Sequence, residues 1–392
     1  MQLPGGLSAD LFLKEYWQKK PLIIRQAFPG YRSPVSADEL AGLACEPAVE
    51  SRLVLEQENG KPWQLHNGPF EPERFSELPE THWTLLVQGL DHWVPAVADL
   101  LDSFRFVPNW RLDDIMASYA PVGGSVGPHY DQYDVFLLQA EGHRRWHFGG
   151  HCDETSARIE GTPLRILRDW QGETIATLAP GDMLYLPPGI GHHGIAEDDC
   201  LTFSIGFRAP SVDDLMTGFT DFLSTRPQAG LPVSDPDLSV QTDPGLIGSD
   251  VISRLKSVIE AQLTDERQLA LWFGQYSTAP KNLDTLSPPT APIAPEALVE
   301  AVNEGIGLRW NEGSRFAHVD WPDQTALFVD GERYLLNGDA GALAPVLCRS
   351  NRIESTAIAK FVEDNALAGL ITALYNQGSL YLDEPDDDYE ET

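Results

Sequence analysis

The chain has 392 residues, 59 acidic and 27 basic, for a formal net charge of −32; such a charge opposes binding to a phosphate backbone and favours a basic partner, although high solubility or a saline habitat would also produce it. Hydrophobic residues make up 42%, enough to bury a sizeable core in two or three domains. No apolar run is long enough to predict a membrane span and residues 1–9 do not read as a secretion signal, while four scattered cysteines (Cys45, Cys152, Cys200, Cys348) without a CxxC pair argue against a zinc module or disulfide framework and suit a reducing cytoplasm.

Along the chain, residues 9–19 have helical spacing and residues 21–25 form a short apolar strand. The apolar residues Leu85, Leu86, Leu90, Val94, Val97 and Leu101 predict an amphipathic helix within 83–105. From 116 to 208 the texture changes to short strand-like runs at 116–120, 133–139, 145–148, 173–178, 182–186 and 201–207, punctuated by Gly and Pro, which predicts a sandwich or barrel. Ser211-Val212-Asp213-Asp214 reads as a capping-box variant opening a helix, with Leu215, Phe219, Phe222 and Leu223 on one face. A Pro/Gly/Asp-rich loop over 227–248 leads to helices at 251–263 and 265–274. Their apolar stripes read either as core or as an interface with a second subunit. Residues 287–295 form a stiff proline-rich linker. Beyond it come a helix at 295–304, strands at 307–310, 317–319, 327–329 and 332–336, and a helix at 358–375, together winged-helix-like. Such units often bind DNA, but this one lacks a basic recognition helix, and a structural or protein-docking role fits better. Residues 383–391 form an acidic tail expected to be disordered.

The segment that carries chemistry is Gly127-Pro128-His129-Tyr130-Asp131, followed some sixty residues on by Pro187-Pro188-Gly189-Ile190-Gly191-His192. Two residues apart on a strand, His129 and Asp131 leave the same face. One His-x-Asp with one distant His is a two-histidine, one-carboxylate facial triad, which leaves open positions on iron(II) for a bidentate 2-oxo acid and O₂. The plainer alternative is a hydrogen-bonded His129–Asp131 pair and a core histidine. The strand and proline-stiffened turn before His192 favour the triad. His193 would point to the opposite face from His192. The four-residue recurrence of His143, His147 and His151 would form a metal stripe only on a helix, and the flanking glycines favour strand. A dicarboxylate co-substrate needs a cation for its far end. Arg144 supplies one on the strand after the His-x-Asp hairpin, with Arg145 on the opposite face and the Ser118 hydroxyl as an added hydrogen-bond partner.

These residues give the chain a family resemblance. It resembles the bacterial JmjC-type ribosomal oxygenases, the ribosomal protein arginine hydroxylases, in 16–22, 38–44, 51–54 and above all 126–136, and also in 180–192 and 204–210. The likeness covers residues 10 to about 275 well and the C-terminal third only in outline. The resemblance implies an α+β fold with a double-stranded β-helix (cupin/jelly-roll) catalytic core over 1–210, a helical dimerisation region over 211–286 and a winged-helix-like domain with the acidic tail over 287–392. It also implies a cytoplasmic homodimer that uses iron(II), 2-oxoglutarate and O₂ to hydroxylate an arginine β-carbon of a basic large-subunit ribosomal protein, the sixteenth. His129, Asp131 and His192 would hold the iron, and Arg144 and Ser118 the 2-oxoglutarate carboxylate; no direct nucleic-acid contact is expected. His193, where the family carries an acidic residue, and the long acidic tail are departures. The rivals are the same oxygenase acting on another side chain, and a cupin-type ligand-sensing regulator whose C-terminal domain binds DNA.

Overall fold

The computed structural model describes residues 2–226, 230, 232–281 and 285–383; most of the acidic tail lies outside them. Up to residue 210 the described strands are β1 (Leu22–Ile24), β2 (Ser51–Glu58), β3 (Lys61–Asn67), β4 (Trp83–Val87), β5 (Leu112–Ala120), β6 (Val135–Glu141), β7 (Arg144–His151), β8 (Thr174–Leu178), β9 (Met183–Leu186), β10 (Ile190–Ala196) and β11 (Cys200–Phe207). Eight of them form one sheet in the order β1-β9-β6-β11-β5-β4-β2-β3, and β10-β7-β8 form a second. This pair of antiparallel sheets is the expected double-stranded β-helix.

The pattern of β6 explains the layering. Its apolar run alternates between two layers, so both faces are buried and the strand reads as almost continuously hydrophobic. Val135 and Leu137 join Trp146, Phe148, Leu184 and Leu186 between the two sheets. Phe136 and Leu138 point the other way, into a cluster with Phe12 and Phe104. Helix Ala9–Glu15 delivers Phe12 to that outer layer, where its ring lies 4.9 Å from Tyr185 and 5.4 Å from Phe136.

The helix expected within 83–105 is not formed. Trp83–Val87 is instead strand β4, with Leu85 opposite Leu53 on β2 and Tyr119 on β5. Gly89 then adopts φ 59°, a left-handed conformation that ends the strand, and the rest is short helical turns, one starting at Pro95. A run apolar on both faces fits a doubly buried strand as well as a helix, and pairing with two neighbours decides it. The hairpin of β2 and β3 turns at Asn59-Gly60, whose φ values of 51° and 73° are those of a tight two-residue hairpin turn.

After β11, helix Val212–Ser224 opens as expected: Asp214 N donates to Ser211 Oγ (3.0 Å) and Ser211 N donates to Asp214 Oδ2 (2.9 Å). Helices Ser249–Leu263 and Glu266–Thr278 follow. The C-terminal unit contains helix Pro295–Asn303 and two three-stranded sheets: β13-β14-β15 (Phe316–Asp320, Gln324–Val329, Glu332–Asn337) and β16-β12-β17 (Arg352–Ile353, Gly307–Trp310, Leu380–Asp383). The helix expected over 358–375 is two, Ser355–Val362 and Asn365–Asn376. Asp364 breaks it by capping the second, accepting from Ala366 N and Leu367 N. This unit has its own core around Leu298, Leu308, Leu327, Phe361 and Ile371. It is pinned to the catalytic part by Arg309 and Arg352 on Asp99 (2.7 and 3.2 Å) and by Ser350 Oγ donating to Asp102 (2.7 Å).

Candidate active site

The loop between β5 and β6 carries His129 and Asp131, and β10 carries His192. Main-chain hydrogen bonds join the two segments: His129 N donates to His192 O (3.0 Å), His192 N to His129 O (2.8 Å), and Gly189 N to Asp131 O (2.7 Å). Gly189 has φ +77°, so the Pro187-Pro188-Gly189 turn needs its glycine; a Cβ there would also stand 2.5 Å from the His151 ring. Strand β10 starts immediately after this turn, an element the sequence reading left as the turn itself.

One ligand atom from each of His129, Asp131 and His192 lies within 4.8 Å of the others, the one such trio of His, Cys, Asp or Glu among the described residues. In both histidines Nδ1 faces a backbone carbonyl, Gly127 O at 2.9 Å and Ile190 O at 3.0 Å. Donation to those carbonyls fixes the tautomer that leaves each Nε2 with a free lone pair. His192 Nε2 stands 3.5 Å from Asp131 Oδ2. Burial, reinforced by nearby His129, pushes the His192 imidazole down to about 4, so it is neutral at physiological pH. Two imidazoles and a carboxylate on one wall fit a divalent first-row metal such as iron(II).

The triad opens into a cavity of about 480 Å³ that also holds Arg144 and Ser118. Arg144 is 3% exposed. Its Nη1 donates to Ser118 Oγ (3.1 Å), and its Nε and Nη2 lie 3.4 and 3.5 Å from Cys200 Sγ. Among the described residues no carboxylate pairs with it. A buried guanidinium without an anion is poorly compensated, and a carboxylate entering the cavity would complete it. Arg145 points outward to Glu197 at 3.3 Å, as alternation requires. Gly194 permits the arrangement: a Cβ there would meet the Trp146 ring at 2.7 Å and Arg144 Cδ at 3.0 Å.

The same cavity brings in residues that sequence reasoning did not single out. Thr202 stands opposite Ser118 in register, and Ser204 opposite Met116. Tyr133 and Asp114 line the wall on the mouth side with Lys281, whose Nζ donates to Asp114 (3.2 Å) and Asp113 (2.6 Å). Strand pairing with the β5 serine was the signal for Thr202; the others depend on a long-range meeting with residues near 280. Asp134 is fully buried and points away, accepting from Tyr185 Oη and from Gln18 Nε2 (2.9 Å). His193 faces His147 on the outer side of β10 and β7, ring centroids 6.2 Å apart. His143 pairs with Asp198 at 2.7 Å. His143, His147 and His151 therefore form no stripe.

Residues 99–215 match the JmjC domain family and residues 261–381 the ROXA-like winged helix. The chain is 34% identical over 373 residues to the ribosomal protein uL16 3-hydroxylase of Escherichia coli, covering 94% of this chain and 95% of the relative. The chain belongs to the ribosomal oxygenase family. A probable ribosomal oxygenase of Haemophilus influenzae is 42% identical over 240 residues, 61% of this chain and 57% of that one. The family fold extends over the full length. The structure of the ribosomal oxygenase YcfD of Escherichia coli in complex with cobalt and 2-oxoglutarate superposes with a TM-score of 0.86 at 33% identity, covering 98% of this chain and 99% of that one. The same protein in complex with cobalt and succinic acid gives a TM-score of 0.85, again at 33% identity over 98% and 99% of the two chains.

Proposed function

We propose that this chain is an iron(II)- and 2-oxoglutarate-dependent protein hydroxylase that adds a hydroxyl to an arginine β-carbon of the large-subunit ribosomal protein uL16. The observation that carries the reading is the union, in one cavity, of the His129–Asp131–His192 trio with the buried, anion-less Arg144. Full-length similarity to a uL16 3-hydroxylase supports the choice of substrate.

In this reading His129, Asp131 and His192 hold iron(II) on one face. Bound iron, with 2-oxoglutarate and O₂, supplies the oxidant for carbon–hydrogen hydroxylation, and 2-oxoglutarate leaves as succinate and carbon dioxide. Arg144 takes the far carboxylate of 2-oxoglutarate in charge-assisted hydrogen bonds, and Ser118 holds the guanidinium in place. Leu137, Trp146 and Ile166 give the cavity apolar walls that exclude water. Asp114, Met116 and Tyr133 line the mouth side, where a substrate guanidinium would find a carboxylate and its methylenes an apolar surface. The charge of −32 draws in a basic ribosomal protein.

The division into 1–210, 211–286 and 287–392 and the cytoplasmic homodimer belong to the same proposal. Helix Ser249–Leu263 exposes Ile252, Leu255, Val258, Ile259 and Leu263, an apolar row that a second copy would cover. Arg309, Arg315 and Arg352 of the C-terminal unit face Asp99 and Asp113 of the catalytic part, which supports a docking role over DNA binding.

The test is succinate formation by the iron-loaded protein with 2-oxoglutarate, O₂ and a uL16 peptide, with mass spectrometry of the peptide. One added oxygen per succinate, absent in His129→Ala, supports the proposal. Succinate without peptide oxidation rejects the substrate, and no turnover with any basic protein rejects the reaction.

A further inference from the structure

Two more recesses continue outward from the active-site cavity. The first, about 390 Å³, shares Asp113, Tyr133 and Lys281 with it. The second, about 600 Å³, shares Trp110, Gln132, Ala209, Pro210 and Phe273 with the first and ends at Gln18, Pro188 and Leu215. The three recesses thus adjoin one another in a row, here termed the groove, that runs from the triad to Gln18, Pro188 and Leu215.

The groove has the chemistry of a polypeptide-binding surface. Trp110 and Phe273 meet edge to face at 5.2 Å, with the Arg111 guanidinium 4.7 Å above the Trp110 ring. Both rings are half-exposed, as are Pro210 and Leu215 beside them. Gln132 is exposed between Asp131 and Tyr133, and its amide can both donate and accept. Arg111 lines the recess and uses Nη1 on Arg208 O (3.0 Å), which leaves further guanidinium donors.

We infer that this groove holds an extended segment of the substrate polypeptide beside the residue that enters the cavity, with an apolar or aromatic side chain seated on Trp110 and Phe273. The inference rests on the hydroxylase reading above and adds where the substrate sequence is read. A side chain reaching the buried trio must bring its backbone across the mouth, where Tyr133 stands 43% exposed, and the groove departs from that point. Main chain pressed against an apolar wall needs hydrogen-bond partners, and Gln132 and Arg111 provide them. A cavity for one long cationic side chain cannot tell one arginine from the many in a basic protein, so selection falls to contacts outside it.

Ala209 is exposed on the shared wall, so Ala209→Trp fills the groove without removing a core residue. Initial rates are measured with a roughly 20-residue uL16 peptide centred on the target arginine and with one trimmed to that arginine and its immediate neighbours. The expected result is that the wild type prefers the long peptide, that Ala209→Trp raises KM for it at least ten-fold with kcat and KM for 2-oxoglutarate within two-fold, and that KM for the trimmed peptide does not move. Equal KM values of the two enzymes for the long peptide overturn the inference, as does a wild type that treats both peptides alike. A change in sedimentation of Ala209→Trp with unaltered KM also overturns it, marking the groove as a contact between copies. Oxidation of neither peptide by the wild type would instead bring down the hydroxylase reading on which the inference stands.

Discussion

Arg144→Met separates an arginine kept for a ligand from one kept for the fold. In the ligand-free chain Arg144 is buried, donates to neutral Ser118 and meets no carboxylate among the described residues. Such a charge is expensive to bury alone, and breaking a buried ion pair by removing one partner costs about 3–5 kcal/mol. With 2-oxoglutarate bound, the guanidinium gains its anion through hydrogen bonds worth roughly 1.5–3 kcal/mol each. Methionine retains much of the hydrocarbon volume and introduces no charge. The ligand-free variant should therefore be at least as stable as the wild type, while affinity for 2-oxoglutarate falls by on the order of 100- to 1,000-fold, about 3–4 kcal/mol. The assay is thermal unfolding of manganese-loaded, anaerobic protein with and without 2-oxoglutarate. At 100 times the wild-type Kd the co-substrate should stabilise the wild type by about 2.7 kcal/mol and Arg144→Met by no more than about 0.4 kcal/mol. A variant that keeps the full 2-oxoglutarate shift would refute the assignment. One whose ligand-free form loses more than about 2 kcal/mol would show that the arginine supports the fold.

Three further outcomes follow from particular contacts. Burial, helped by Asp114 nearby, pushes the Asp91 carboxyl up to about 7; a raised folded-state value means stability falls as pH rises through about 7. Asp91→Asn, which keeps the oxygen that accepts from Ile115 N (2.7 Å), should remove about 1.4 kcal/mol of the wild type's loss between pH 6 and pH 8, read from urea midpoints. Gly189→Ala places a Cβ against His151 at a positive φ, so the turn must shift; about 1–2 kcal/mol of strain should weaken metal binding roughly ten-fold in a chelator competition, and unchanged affinity would show that the turn does not set the trio. If the proposed dimer forms through the exposed row of Ser249–Leu263, Ile259→Glu should convert it to monomer in sedimentation, whereas a wild-type dimer of unchanged mass in the variant would move the interface elsewhere and a monomeric wild type would remove it.

Local chemistry made most of the site legible in the sequence. His129, Asp131 and His192 stand out because a His-x-Asp spacing, which reads as strand alternation, and a rigid Pro-Pro-Gly turn are encoded within a few residues; the structure brings the trio together, but with His129 and Asp131 on a loop bonded to β10 and not on the strand the spacing predicts. The facing of Arg144 and Arg145 to opposite sides follows from the same alternation. What escaped depends on partners far along the chain. Residues 83–87 are apolar on both faces, and only β2 and β5 make them a strand. The Asn59-Gly60 turn was readable but passed over, and with it the β2–β3 hairpin. Thr202, Ser204 and Asp114 carry no local mark; they join the cavity because β11 pairs with β5 and Lys281 returns from the helical region. Asp134, just outside the start of β6, follows the same alternation: it turns to the side of Phe136, where Tyr185 and Gln18 claim it.

The most direct measurement of the central claim is the origin of the added oxygen. Iron-loaded protein is incubated with 2-oxoglutarate and uL16 under heavy-isotope O₂, and the uL16 arginine peptides are sequenced by tandem mass spectrometry. The account requires one heavy oxygen on a single arginine side chain, one succinate per hydroxylated peptide, and neither product from His192→Ala. Unmodified arginine alongside steady succinate formation, or an oxygen drawn from water, would contradict it.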